Sequence, residues 1–222
     1  MGPTRRTEPP PVQWTLVIPL KPLERAKSRL AATTGDTLRP GLALAFAQDT
    51  VAAALACSAV RDVVVVTDDS TAGRELAVLG ARIVGDEPAG GLNAALAHGA
   101  AAVRAERPRT AVAALNADLP ALRPMELARV LGNAAEFPRS FLPDAAGIGT
   151  TLLSAASGRE LRPAFGTASR SRHTASGAVE LGLDGVDSVR QDVDTGEDLR
   201  AALALGVGPR TATAAARLLI AD

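Results

Sequence analysis

Val112-Ala113-Ala114-Leu115-Asn116-Ala117-Asp118-Leu119-Pro120 is the stretch on which the fold turns. A short apolar run, of a length that suits a buried strand, delivers an aspartate and then stops at a proline. In an open parallel sheet, ligands collect just beyond the carboxyl ends of the strands. Asp118 is therefore placed to hold a divalent cation against a phosphorylated ligand. Far downstream, Asp192-Val193-Asp194 follows another short strand candidate. Two acidic sites, each at a strand end, predict a metal-dependent reaction on phosphates.

Working outward from that stretch, the elements alternate. Trp14-Thr15-Leu16-Val17-Ile18 reads as a first strand closed by Pro19. A helix is predicted from Leu38 to Cys57, with Pro40 in its first turn, where proline is tolerated. Val63-Val64-Val65-Val66 is a β-branched run that suits a parallel strand covered on both faces. The short polar side chains of Thr67-Asp68-Asp69-Ser70 then cap a helix from Thr71 to Leu79. A strand at Ala81–Val84, a helix at Leu92–Arg104, the Asp118 strand from Thr110 and a helix at Met125–Ala135 follow. This βαβα order predicts a doubly wound, mostly parallel sheet with helices on both faces. From Ser140 the pattern changes to short extended pieces and glycine turns, which predicts a mixed C-terminal extension over the site. Helices return at Thr195–Leu205 and Pro209–Leu219. The simplest organisation is a flexible tail over residues 1–13 and one domain over 14–222.

Composition narrows the function. The chain has 222 residues, 24 Lys+Arg and 24 Asp+Glu, so no net field attracts nucleic acid. Aromatics are only 2%, so alanine, valine and leucine must build a closely packed core. One cysteine, Cys57, excludes an intrachain disulfide and a cysteine-rich zinc site; its alanine-rich surroundings mark it as core packing. No run approaches the ~20 apolar residues of a membrane span, and the polar, proline-rich start is not of signal-peptide type. The expected location is the cytoplasm.

The loop after the first strand carries Lys21, Lys27 and Arg29, which could neutralise a nucleoside triphosphate. It has neither G-x-G-x-x-G nor G-x-x-x-x-G-K-[ST], which argues against a dinucleotide-binding dehydrogenase and a P-loop ATPase. Gly90-Gly91-Leu92-Asn93 opens a helix, where bare amides favour an anion. Asn93 either reads a purine edge or caps that helix. Asp192 and Asp194 point to opposite faces if extended. One of them then shares a cation with Asp118, while the other caps the helix near Thr195. Oxygen ligands and two isolated histidines favour magnesium over zinc. His98 reads as structural, and His173 lies in a basic loop within reach of a ligand. Gly147-Ile148-Gly149-Thr150-Thr151 and Phe165-Gly166-Thr167-Ala168-Ser169-Arg170 each offer glycine-freed amides beside hydroxyls, and Arg170 and Arg172 add charge. Together they predict an acceptor site for a small phosphate or carboxylate.

As a set, these residues resemble a known family. The matching segments are Ile18-Pro19-Leu20-Lys21, Ala26-Lys27-Ser28-Arg29-Leu30, Gly91-Leu92-Asn93, Ala117-Asp118-Leu119-Pro120-Ala121-Leu122, Gly149-Thr150, Phe165-Gly166 with Ser169, Ser176-Gly177-Ala178-Val179-Glu180-Leu181, and Asp192-Val193-Asp194-Thr195. They resemble the phosphoenolpyruvate or 2-phospho-L-lactate guanylyltransferases of deazaflavin coenzyme (F-420) biosynthesis, relatives of the molybdenum-cofactor guanylyltransferases. The resemblance implies a nucleotidyltransferase Rossmann-like fold and transfer of GMP from GTP to the acceptor phosphate, with release of pyrophosphate. It implies that Thr150, Gly166 and Ser169 hold phosphoenolpyruvate and that Asp118 and Asp192 bind Mg2+, with Asp194 a further candidate. Asp118, Lys21 and Lys27 would carry catalysis; Lys21, Lys27, Arg29, Gly91 and Asn93 would hold the nucleotide. The alanine- and arginine-rich composition is similar to that of high-GC actinobacterial chains, for which the resemblance implies phosphoenolpyruvate. A homodimer and hand-off of product to the next pathway enzyme are further expectations. The alternatives are 2-phospho-L-lactate or another phosphorylated acceptor, and a non-catalytic GTP-binding module.

Overall fold

The first strand is built from the residues expected of it. β1 (Trp14–Pro19) is an almost wholly buried run, and it lies between β2 (Val60–Val66) and β4 (Ala111–Leu115), parallel to both. β3 (Arg82–Val84) extends the sheet beyond β2, also in parallel. The second half is formed by β5 (Arg139–Pro143), β6 (Thr150–Ala155) and the short β7 (Val179–Glu180). The computed structural model describes residues 12–26, 31–87 and 89–217, and of 31–38 the backbone only; the tail expected over residues 1–13 lies mostly outside these.

The strand order is β3-β2-β1-β4-β6-β5-β7. β6 runs antiparallel to both of its neighbours, and every other pairing is parallel. The mixed extension expected from Ser140 is thus one reversed strand set between β4 and β5. The switch point, where successive strands depart to opposite sides, falls between β1 and β4, so the cleft at their carboxyl ends is the natural ligand site.

Helices cover both faces. α1 (Ala31–Leu55), α2 (Ser70–Val78), α4 (Pro124–Ala134) and the short α6 (Asp187–Arg190) pack on one face, around Leu16, Ile18, Val63, Val65 and Leu115. α3 (Leu92–Glu106) covers the other, around Val17, Val64, Val66, Val112 and Phe141. Burying each valine or leucine of this kind contributes roughly 1.5–3 kcal/mol over leaving it exposed. The near absence of aromatics is met by close approach. A Cβ added at Gly99 of α3 would stand 2.6 Å from the Val17 and Val66 side chains. Cys57 is buried and free, as expected, and burial pushes its thiol up.

A third cluster joins Leu42 and Phe46 of α1 to Val193 and to Leu199 and Ala202 of α7 (Gly196–Leu205). α8 (Pro209–Ala216) is seated by the buried Asp49, whose carboxylate accepts from the Thr211 amide at 2.7 Å. The C-terminal helices therefore close back on α1 and carry the late acidic segment with them.

Two element boundaries differ from expectation for identifiable reasons. α1 starts at Ala31, not Leu38, so Pro40 lies inside it and not in its first turn. Arg39 donates to the Glu24 and Ala26 carbonyls, tying the helix next to Pro40 to the loop after β1. Asp192-Val193-Asp194 follows α6, not a strand, because Ser188 sits against the Glu126 carboxylate and winds that segment into a helical turn.

Candidate active site

At the carboxyl end of β4 the chain turns out through Asn116 and Asp118. The Asn116 amide donates to the Thr151 carbonyl at 3.0 Å, which sets this exit beside the start of β6. The Val193 amide donates to the Asp118 carbonyl at 3.1 Å, and the Asn116 side chain donates to the Asp192 carboxylate at 3.4 Å. Residues 118 and 192–194, remote in sequence, are thereby neighbours. Val193 is fully buried and anchors the segment, while Asp192 is half-buried beside the cleft and Asp194 is exposed. The helix cap foreseen for one of this pair belongs instead to Thr195, which forms a reciprocal capping box with Asp198. The Thr195 hydroxyl accepts from the Asp198 amide, and the Asp198 carboxylate accepts in return from the Thr195 and Asp194 amides.

Among the described residues no group of three or more His, Cys, Asp or Glu could by itself hold a metal ion. A site built on Asp118 and Asp192 is an open one that a ligand's phosphate oxygens must complete. That donor set is all oxygen and suits magnesium or manganese, ions that keep substrate phosphates and water in their shells.

The nucleotide side is built from three chain turns. Lys21 is exposed in the loop after β1, and that loop is pinned by Leu20 N–H to the Val66 carbonyl and by Leu23 N–H to the Asp69 carboxylate. Asp69 also caps α2 through the Thr71 and Ala72 amides, and these amide bonds together hold its carboxyl below the usual carboxylate range. Lys27 and Arg29 lie outside the described residues. Gly91 has φ 88°, a conformation that favours glycine, and it starts α3 without any side-chain cap. Among the described residues no side chain caps the first amides of α3.

Asn93 does not cap α3, whose N-cap is Gly91. It stands inside α3, and its amide forms a two-way bond with the Phe165 backbone: Nδ2 donates to the carbonyl at 3.1 Å and Oδ1 accepts from the amide at 2.8 Å. It is a clamp between α3 and the Gly166 loop that uses one N–H and one lone pair of the amide.

The acceptor side gathers around α5 (Ser169–Ala175). Gly166 has φ 110° and lies exposed; its carbonyl accepts from the Ser169 amide at 3.0 Å. Arg170 N–H donates to the Ile148 carbonyl, and His173 meets the Thr150 hydroxyl at 2.9 Å. Thr150 and Ser169 are buried and Gly166 is exposed; His173 joins Thr150 to the helix that Ser169 opens, and Thr150 adjoins the residue whose carbonyl receives the Asn116 amide. Two expectations here need correction. The Ile148 and Gly149 amides do not face a ligand, because the Asp144 carboxylate accepts both, at 2.9 and 2.8 Å. Arg170 does not lend its charge to the pocket, because Glu180 holds it through two bonds of 2.8 Å. Arg172 remains beside Gly166, donating to the Phe165 carbonyl. His173, placed in a loop from its basic surroundings, is in fact fully buried in α5. His98 is a half-buried helix residue, in keeping with a structural role.

A mostly parallel sheet with two acidic segments joined beyond β4, a helix start without a side-chain cap and a glycine–hydroxyl loop has the architecture of the nucleotidyltransferases. Comparison with known proteins agrees. Residues 14–218 match the family described as guanylyl transferase CofC like, and the chain belongs to that family. It is 82% identical over 209 residues to the phosphoenolpyruvate guanylyltransferase of Streptomyces avermitilis, covering 94% of this chain and 97% of that one. Among solved structures it resembles a nucleotidyl transferase from Methanothermobacter thermautotroptrophicus, with TM-score 0.63, 21% identity and coverage of 87% and 97%. It also resembles a Mycobacterium tuberculosis protein in complex with manganese, with TM-score 0.54, 21% identity and coverage of 87% and 99%.

Proposed function

We propose that the protein moves GMP from GTP onto the phosphate of phosphoenolpyruvate, giving enolpyruvyl-diphosphoguanosine and pyrophosphate, a step of deazaflavin coenzyme (F-420) biosynthesis. The observation that carries this reading is the bond from Val193 N–H to the Asp118 carbonyl, which joins the two acidic segments next to Thr150. An oxygen of the acceptor phosphate attacks the α-phosphorus of GTP, the bond from that phosphorus to the bridging oxygen breaks, and pyrophosphate leaves. The acceptor arrives already ionised, so the protein need supply no nucleophile. Its work is to position two anions in line and to stabilise the charge that develops between them.

Asp118 and Asp192 would hold Mg2+, which supplies positive charge between the phosphates; the manganese complex of a protein of this fold supports a divalent ion. Lys21, with Lys27 and Arg29 a few residues on in the sequence, would offset the triphosphate charge, and the Gly91 end of α3 would receive an anionic oxygen. Thr150, Gly166 and Ser169 would seat the acceptor.

Asp118→Asn should keep its circular dichroism spectrum and lose pyrophosphate release by about a hundredfold or more. Turnover near that of the unaltered protein would overturn the assignment. Mass spectrometry of the product from GTP, Mg2+ and equal phosphoenolpyruvate and 2-phospho-L-lactate identifies the acceptor. GTP binding without pyrophosphate release would mark a non-catalytic module instead.

A further inference from the structure

A histidine is an unexpected residue to find in an apolar core, and the surroundings of His173 leave it little freedom. It is fully buried in α5, with the Phe141 ring centroid at 5.7 Å and the edge of Phe165 at 5.0 Å. Both ring nitrogens are engaged. The Ala164 backbone amide donates to Nε2 at 3.0 Å, and Nδ1 lies 2.9 Å from the Thr150 hydroxyl. A backbone amide can only donate, so Nε2 must carry a lone pair. In neutral imidazole the single proton then sits on Nδ1 and is donated to Thr150. A doubly protonated ring would set two N–H groups against each other at Ala164. Burial first, then the guanidinium groups of Arg139 and Arg172, oppose that form.

The consequence falls on Thr150. A hydroxyl has one proton and two acceptor lone pairs. With a lone pair occupied by His173, the proton of the buried Thr150 hydroxyl is directed away from the ring and can be donated to another acceptor. The opposite tautomer would draw that proton inward and present only lone pairs to an anion. We infer that His173 is a positioning residue of the acceptor pocket: the Ala164 amide fixes its tautomer, and the ring thereby aims the Thr150 O–H at an anionic oxygen of the phosphorylated acid. The same ring links the two sides of the proposed acceptor site, since Thr150 begins β6 while Ala164 opens the loop that carries Gly166 and leads to Ser169 at the start of α5. This rests on the reading of Thr150 as an acceptor residue, and the test separates the two.

The test is a double-mutant cycle of Thr150→Val with His173→Gln, reading KM for phosphoenolpyruvate and for GTP separately. Glutamine keeps an acceptor for the Ala164 amide and gives up the donor to Thr150. Each single change should raise the acceptor KM about tenfold or more, with KM for GTP within about twofold. His173→Gln should add nothing once the hydroxyl is gone. Effects that multiply, or a rise in both KM values, would reduce His173 to a core residue and overturn the inference while leaving the acceptor reading intact. An unchanged acceptor KM in Thr150→Val would overturn the acceptor reading and this inference with it. Should His173→Gln fail to fold, nitrogen-15 NMR of the unaltered protein decides. A protonated Nδ1 and bare Nε2, constant from pH 6 to 8, is the expected result; the reverse tautomer would overturn it.

Discussion

At the scale of single residues, the acidic groups were far easier to read than the groups that orient them. Asp118 announces itself because a carboxylate straight after a buried apolar run has few structural uses. His173 does not, because its neighbours in sequence, Arg170, Ser171 and Arg172, are polar, and helical periodicity over one short turn is too weak to show which face is buried. Asn93 and Asp144 were legible as polar groups near glycines, but not as clamps, since their partners lie across the fold or in their own loop. The buried histidine makes a prediction of its own. Burial, then Arg139 and Arg172, push its pKa down to about 4, whereas the unfolded ring titrates near 6.5. Between those values the unfolded chain binds more protons, so stability rises with pH there and is lost as pH falls through the window. Urea unfolding of the unaltered protein should therefore lose more stability from pH 6.5 to 4.5 than His173→Gln does over the same range. Parallel curves would show that the ring is not held neutral.

Elements were legible where one periodicity ruled and obscure where a tertiary contact overrode it. The alternation through β4 and the run of valines in β2 could be read directly, because a strand covered on both faces must be apolar throughout. β6 could not. Strict alternation from Leu152 puts Thr150 on the Leu152 face, yet the pairing of β5 with β6 slips between Leu142 and Pro143 and takes Thr150 to His173 on the other side. A bulge of this kind re-aims a side chain without any marker in composition. The close seating of α3 on β1 and β2 is likewise invisible in an alanine-rich helix until Gly99 is seen against Val17 and Val66. Alanine at 99 improves helix propensity by about 1 kcal/mol but drives its Cβ into two buried valines. Overpacking of that kind costs about 1–3 kcal/mol. Gly99→Ala should thus be destabilised despite the better helix former, as a lowered urea midpoint with an unchanged slope. A midpoint at or above that of the unaltered protein would mean that α3 can lift off the sheet.

At the scale of the whole molecule, the site exists only because distant parts of the chain are folded together. Gly91, Asp118, Thr150, Gly166 and Asp192, the residues proposed for it, come from separate turns, and among them the fold joins the segments of Asp118 and Asp192 directly. The parallel half of that sheet follows from βαβ alternation, but nothing local told that β6 is reversed and inserted beside β4, since a short buried strand reads the same in either direction. That the segments of residues 118 and 192 lie together has no local marker in sequence; only a chemical need for two carboxylates around one ion led to that expectation. An unfolded chain cannot hold these groups together, so a ligand that needs both acids binds the folded state alone and stabilises it by mass action. At a hundredfold excess over its Kd, GTP with Mg2+ adds about 2.7 kcal/mol. For a chain of this size each kcal/mol moves the midpoint by about 2–4 °C, so the melting temperature should rise by about 5–10 °C. Removing Mg2+ with a chelator should abolish most of that rise, and so should Asp118→Asn or Asp192→Asn, each with a near-normal melting temperature in the absence of ligand. If only one variant loses the metal-dependent part, the ion is held from one side of the cleft. If both keep it, the cation sits elsewhere and the bond between the two acidic segments serves the fold alone.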